Sequence, residues 1–185
     1  TGTFQVNRTS SDLELSVDGS ANQLIGMRFI GLAIPTEAVI VSAYIQFTAD
    51  EVSTGAVSLV ISGEDSDNAL TYTTAAGDIS SRASTDASVA WNPNDWNTVG
   101  ESGLDQQTSK IAAIIQEIVD RAGWTSGDAI ALTISGSGAR VAESYNGVQA
   151  SAPLLHIEWA LPADGIPRID LDADASSGVT DNDFK

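Results

Sequence analysis

Acidic side chains at close, regular spacing are the residues here whose type and pattern could do chemistry. Asp170, Asp172 and Asp174 alternate along the chain, so their carboxylates can converge on one hard cation where the backbone loops. A carboxylate recurs at Asp181, but Ala175 stands where an EF-hand loop requires glycine. We therefore reject an EF-hand and expect calcium between successive β-modules, with a solvated acidic linker as the alternative.

Three further acidic groups lie where strands are expected to begin or end. Such oxygen-rich groups suit calcium, although loop carboxylates more often only form solvated turns. The remaining candidate metal ligands are Asp12, Glu14, Asp50, Glu51, Glu64, Asp65 and Asp67. A hairpin centred near Ser53 and Thr54 would separate the second group from the third by about seven strand residues, or ~24 Å. We therefore expect those two groups at opposite ends of a sandwich.

The excess of acid runs through the whole composition. There are 25 Asp and Glu against 8 Lys and Arg, a formal net charge of −17, and no cysteine. A surface this acidic repels phosphate, so we expect no nucleic-acid partner. The lack of cysteine excludes disulfides, thiolate zinc sites and thiol nucleophiles. No stretch approaches the ~18 apolar residues of a membrane helix, so we expect no membrane insertion. At least one bound Ca²⁺ is the cofactor that the charge favours.

A segment after a predicted strand combines glycines with side chains suited to binding. The candidate ligand-binding residues there are Arg140, Glu143, Tyr145 and Asn146. Arginine can hold a carboxylate with two parallel hydrogen bonds, and tyrosine offers a flat amphipathic contact. The alternative is a hairpin in which Arg140 and Glu143 pair with each other or with neighbours.

Aromatic residues supply the other candidates. Trp91 and Trp96 lie in a polar loop and are candidate ligand-binding residues, since exposed tryptophans stack on sugar rings; the alternative is that they fill a hydrophobic edge beneath the loop. Trp124 and Trp159 are expected in the core. His156 is the one histidine and lies in an apolar strand, where a structural role is the usual one. No nucleophile motif stands out, so we expect no enzymatic activity.

The sequence pattern predicts that strands position most of these residues. Short apolar or alternating runs are separated by turns rich in Gly, Asn, Asp and Ser, which predicts an all-β fold, a β-sandwich or jelly roll. The predicted strands are 24–30, 38–48, 57–62, 129–135 and 154–159. One segment, about 109–122, has helical spacing and predicts an amphipathic helix with Thr108 or Ser109 as its cap and Gly123 after its end.

The composition changes after Pro162. We expect residues 1–162 to form a β-sandwich ligand-binding module, and 163–185 to form an acidic linker and the start of a neighbouring module. We also expect the chain to be a piece of a longer exported protein.

The sequence resembles a family of jelly-roll modules. The segments that carry the likeness span about residues 4–160 and are Ser11–Glu14, Gly26–Phe29, Ile34–Pro35, Ala43–Glu51, Ile79–Arg82, Val89–Trp91, Ile114–Val119, Gly123–Trp124 and Ala142–Tyr145. The chain is similar to the DNRLRE-type sandwiches of large exported bacterial proteins, which are often carbohydrate-binding. Its tail, Asp170–Gly178, looks like the start of the repeats of giant RTX-type adhesins.

Together these resemblances imply a calcium-dependent peptide-binding domain of an RTX-type adhesin. Such a domain would mediate cell adhesion outside the cell by binding the C-terminal peptide of a host or partner surface protein. A calcium ion with an open coordination position would help to hold the peptide carboxylate. The alternatives are a carbohydrate-binding module with a glycan partner and a structural stalk domain that contacts only neighbouring adhesin modules.

Overall fold

The computed structural model describes residues 5–163 and 166–170 of the chain. Its elements are β1 (Asp12–Leu15), β2 (Val17–Asp18), β3 (Ala21–Asn22), β4 (Ile25–Phe29), β5 (Val39–Gln46), β6 (Ser58–Glu64), β7 (Ser84–Trp91), α1 (Ala112–Val119), β8 (Ile130–Ser137), β9 (Arg140–Glu143), β10 (Leu154–Ala163) and β11 (Ile166–Asp170). Two 3₁₀ turns, Leu104–Gln106 and Gln149–Ser151, complete it. The predicted all-β fold is confirmed, and all five predicted strands are present.

All of these strands except the short β2-β3 pair lie in two antiparallel layers. One is a four-stranded sheet in the order β4-β8-β6-β7, and the other contains β11-β10-β5 and the ladder β1-β9. The continuation of β5 joins the parts of the second layer, because the Asp50 N–H donates to the Val141 carbonyl and the Glu143 N–H donates to the Thr48 carbonyl. Residues distant in sequence therefore meet at one end of this layer.

Alternating side chains build the core between the layers. Ile45 of β5 and Leu59 and Ile61 of β6 are completely buried, and each such side chain contributes about 1.5–3 kcal/mol by leaving water. The helix packs into the same core. Gly63 permits its close approach, since a Cβ there would lie 2.8 Å from side-chain atoms of Ile114 and Ile118.

The helix is shorter than the predicted 109–122, although its buried face is the predicted one. Thr108 does not cap it: the Thr108 hydroxyl accepts from the Ile45 N–H, and the Thr108 N–H donates to the Ile45 carbonyl. Pairing with β5 keeps this segment extended up to Ile111, so the helix begins only at Ala112. A tertiary contact has overridden a helical sequence signal.

The predicted hairpin near Ser53 and Thr54 is wrong. β5 pairs with β10, whereas β6 pairs with β7 and β8, so the connection crosses between layers. Glu64 ends β6, whereas the backbone of Asp50 pairs with Val141 of β9 in the other layer.

The described structure continues a little past residue 162. β10 continues to Ala163, and β11 pairs with it in a register that includes Trp159↔Asp170. Residues 166–170 thus add a strand to this sheet. Asp172 and Asp174 lie outside the described residues.

In the part of the chain that the structure describes, no helix has the length and apolar character to span a bilayer.

Candidate functional site

A groove of about 590 Å³ opens between the layers along β4. Apolar side chains dominate its walls: Met27 and Phe29 from β4 face Leu13 from β1 and Leu155 from β10. The other lining residues are Val6, Asn7, Arg8, Ser10, Gly26, Arg28, Ile30, Leu32, Thr71, Tyr72, Ile79, Ser144, Tyr145, Asn146, Ala152, Pro153 and Leu154. A concave, mainly apolar site with a few polar groups is the usual form of a ligand site.

The charges of this groove are opposite in sign to the rest of the molecule. Arg8 and Arg28 line it, and no carboxylate does. The Arg28 Nε donates to the Ala69 carbonyl at 2.6 Å, and neither arginine forms an ion pair within the described residues. In a chain of net charge −17, the groove is therefore a local cationic site.

Two predicted ligand-binding residues lie at the rim of the groove. Tyr145 is 64% exposed. The Asn146 amide donates to the Arg8 carbonyl at 2.7 Å, and the Ser144 hydroxyl donates to the Ser10 carbonyl at 2.6 Å. These bonds fix the N-terminal segment as one wall, so the groove depends on β9 and the turn after it.

The segment around Tyr72 forms another wall. The Tyr72 ring covers Gly26 so closely that a Cβ on Gly26 would lie 2.8 Å from it, and the Arg82 guanidinium lies 4.2 Å from the ring centroid. Burial raises the pKa of Tyr72 to about 12. Its hydroxyl is buried and has no hydrogen-bond partner among the described residues. The contacts with Gly26 and Arg82 hold the Tyr72 ring against β4, where it forms a wall of the groove.

Arg140, a predicted ligand-binding residue, is structural instead. Only 1% of its side chain is exposed, and the guanidinium donates to the carbonyls of Gly55, Pro93, Asn94 and Ala139. It also pairs with Asp95 at 3.2 Å. The planar guanidinium could bind a ligand carboxylate, but in this structure it joins three loops of the protein itself.

Trp91 and Trp96 are likewise buried, at 4% and 0% exposure. Phe47 stacks on Trp91 with ring centroids 5.6 Å apart, and the Trp96 indole N–H donates to the Asp105 carbonyl at 2.9 Å. The interpretation as sugar-stacking residues is wrong, and the alternative, a hydrophobic edge filled beneath a loop, describes them. The periodicity of β7, which ends at Trp91, was not recognised in the sequence.

Four predicted metal ligands lie close together at the β1-β9 ladder with Glu143, which was predicted to bind a ligand. We call this group the acidic face: Asp12, Glu14, Asp50, Glu51 and Glu143. Asp12 lies directly opposite Glu143 in the ladder. The charge of Asp50 is one of the causes that raise the pKa of Glu143. Neighbouring carboxylates repel each other, and a bound cation relieves that repulsion. The oxygen donors fit the preference of calcium.

Burial and neighbouring carboxylates raise the pKa values of two residues on this face. Desolvation, followed by the charges of Asp12, Asp18, Glu51 and Asp50, raises the pKa of Glu14. Desolvation, followed by Asp50, raises the pKa of Glu143. Among the described residues, however, no three His, Cys, Asp or Glu side chains already have the arrangement of a metal site. A cation would have to draw the carboxylates together.

The predicted metal ligands that follow β6 or end it have arginine partners. Glu64 pairs with Arg82 at 2.8 Å, while Asp65 and Asp67 both pair with Arg121, the latter at 2.6 Å. These contacts hold the segment that follows β6, and they neutralise the carboxylates without a metal. The third group of acids is thus a set of ion pairs. The backbone of Asp170 lies at the end of β11.

We expect the acidic face to make stability depend on pH when no cation is bound. A carboxyl group whose pKa is raised by folding binds protons more readily in the native state, so unfolding free energy falls as pH rises from the unfolded pKa, about 4.3, through the raised folded value. In chelator, Glu14→Gln should therefore raise Tm by roughly 2 °C at pH 7 and by much less at pH 4, as measured by thermal denaturation.

The matched control is Glu37→Gln, which makes the same charge change at an exposed residue away from the acidic face. An equal rise in Tm for both variants would mean that general charge, and not crowding on this face, destabilises the protein. A lower Tm for Glu14→Gln at pH 7 would contradict the argument directly.

His156 has the structural environment that was predicted. Its ring stacks on Tyr44 with centroids 4.5 Å apart, and its Nε2 lies 3.0 Å from a carboxylate oxygen of Glu158.

The groove-lining residues Arg8, Arg28 and Tyr72 were missed in the sequence. Basic residues are rare in this acidic chain, and that rarity could have drawn attention to Arg8 and Arg28. The arginines that form ion pairs are equally rare, so the sequence does not distinguish Arg28, which lines the groove, from Arg82, which pairs with Glu64.

Comparisons of the chain with models of protein families, with curated proteins and with solved structures found no match.

Proposed function

We propose that this protein is a non-enzymatic, calcium-dependent ligand-binding module that mediates cell adhesion by binding the C-terminal peptide of a cell-surface protein. The observation that carries the proposal is the apolar groove with Arg8 and Arg28 and no carboxylate in its lining. An apolar peptide end supplies side chains for the walls, and its terminal carboxylate supplies a partner for a guanidinium.

In this proposal the arginines, and not calcium, hold the carboxylate. Successive side chains of a strand point to opposite faces, so Asp12 and Glu14 lie on the face of β1 opposite Leu13, which lines the groove. A cation on the acidic face would not reach a ligand in the groove. It would instead hold β1 against β9 and Asp50, and so hold one wall in place.

Sugar binding is the weaker alternative. Trp91 and Trp96 are inaccessible, which leaves the exposed Tyr145 as the rim residue with a flat face. A stalk domain is the other alternative, and it would need no groove. The extracellular setting and the neighbouring adhesin modules rest on the resemblance described above.

The test compares peptides on an array of free C-termini with the same peptides amidated, with calcium and with chelator. We expect free acids to bind at least tenfold more tightly than amides, because a charge-assisted hydrogen bond is worth roughly 1.5–3 kcal/mol. Chelator should weaken binding by loosening the β1 wall. Equal binding of acids and amides would sink the proposal, and glycan binding without peptide binding would favour the alternative.

Arg28→Met should lower the affinity for free-acid peptides roughly tenfold or more in calorimetry and leave the affinity for amides unchanged. Lys110→Met is the matched control, because it removes one exposed positive charge that is remote from the groove lining. Equal losses in the two variants would point to the general field of the protein and not to a carboxylate contact.

A further inference from the structure

The outer edge of β4 is open. β4 is the terminal strand of its sheet and pairs only with β8 among the described strands, in the register Ile25↔Ile134 to Phe29↔Ile130. In an antiparallel pair, alternate residues direct their backbone N–H and C=O groups away from the partner. No hydrogen bond between described residues satisfies those outward groups of β4.

The groove follows this edge. Five consecutive residues, Gly26 to Ile30, all line it. Side chains in a strand alternate between faces, so one face of β4 would present only every second residue. A groove that contacts every residue in turn therefore lies along the backbone edge itself.

We propose that the groove takes an extended peptide that adds to the sheet as a strand beside β4. The proposal rests on the function proposed above and specifies how the same groove binds. Backbone groups of the peptide pair with the outward groups of β4, which side-chain contacts alone would leave unpaired. Side chains on one face of the peptide enter the apolar space between Met27, Phe29 and Leu13.

Charge selects the occupant. Arg28 belongs to the edge strand itself and Arg8 to the N-terminal wall, and both line the groove, so we place the carboxylate of the peptide at these arginines. A second copy of this chain would bring the same two arginines to the edge, and like charges facing each other oppose that pairing. The acidic surface of the molecule also opposes self-association.

The experiment uses an acetylated hexapeptide of alternating threonine and valine with a free carboxylate as its probe, and calorimetry with calcium present. Each backbone nitrogen is methylated in turn, which removes a hydrogen-bond donor without changing the side chain. Methylation at alternate positions should lower affinity at least tenfold, and methylation at the positions between should have a small effect. Uniformly small effects would overturn strand addition.

Hydrogen exchange on the complex supplies a readout within the protein. Outward amides of β4 should exchange at least tenfold more slowly with the peptide bound, while those paired to β8 should change little. If the peptide binds and these amides are unaffected, strand addition is wrong and the proposed function stands. If neither this probe nor any array peptide binds, both proposals fail. Protection that instead depends on protein concentration, with a dimer in sedimentation, would assign the edge to a second copy.

Discussion

Arg140→Leu is expected to lower the free energy of unfolding by about 3–5 kcal/mol, the range for breaking a buried charged network. The substitution removes the donors for four loop carbonyls and the partner of Asp95. Water cannot replace those donors readily, since the side chain is 1% exposed. Urea denaturation monitored by tryptophan fluorescence would measure the loss.

Arg140→Lys separates geometry from charge. Lysine keeps the positive charge but lacks the planar fork, so it cannot reach all of the carbonyls, and we expect a loss of about 2 kcal/mol or more. Lys110→Met should change stability by less than about 0.5 kcal/mol, as an exposed residue usually does. Full stability in the lysine variant would show that charge alone matters at this position.

Trp96→Ala is expected to cost about 3–5 kcal/mol, since it removes a completely buried side chain and leaves a cavity. The indole fills space beside Phe47, and its N–H donates to the Asp105 carbonyl. Thermal and urea denaturation would both report the change.

Trp96→Phe is the informative companion. It keeps most of the apolar volume and loses the indole donor, so we expect a smaller cost of about 1–2 kcal/mol. If Trp96→Ala were as stable as the natural protein, the burial described here would be wrong. The size of the effect also bears on sugar binding, because any lost glycan binding in Trp96→Ala would reflect unfolding as much as a lost contact.

Local periodicity made the strands and the buried face of the helix predictable. Alternation in the segments that form β5 and β6 follows from burial on one side, and Ile114, Ile115 and Ile118 recur at helical spacing for the same reason. Partners of each strand were not predictable, because pairing depends on contacts between distant segments. The assumed β5–β6 hairpin failed for that reason.

The candidate site was predictable only in part. Tyr145 and Asn146 were identified from a glycine-rich segment, and they lie at the groove. Arg140 had the right residue type for holding a carboxylate, but its side chain points into the protein. Sequence shows which groups can make a hydrogen bond, whereas the direction of a side chain is decided by the strand face on which it lies.

The acidic residues also show that a sequence does not reveal which distant residues meet. Two acidic groups that are separate in the sequence come together with Glu143 at the β1-β9 ladder: Asp12 and Glu14, and Asp50 and Glu51. A third acidic cluster looked equally suited to a metal in the sequence, but in the structure its carboxylates pair with arginines: Glu64, Asp65 and Asp67.

The bonds that fix the N-terminal wall also set when the groove can form. The Ser144 hydroxyl bonds a carbonyl 134 residues earlier in the chain, and the Asn146 amide bonds one 138 residues earlier. Loops of this length close late in folding, because their entropy is lost before the contacts compensate for it. During synthesis, residues 1–139 alone can build neither that wall nor the β1-β9 ladder. The groove therefore appears only once β9 and the turn after it have emerged and folded back onto the segment that precedes β1.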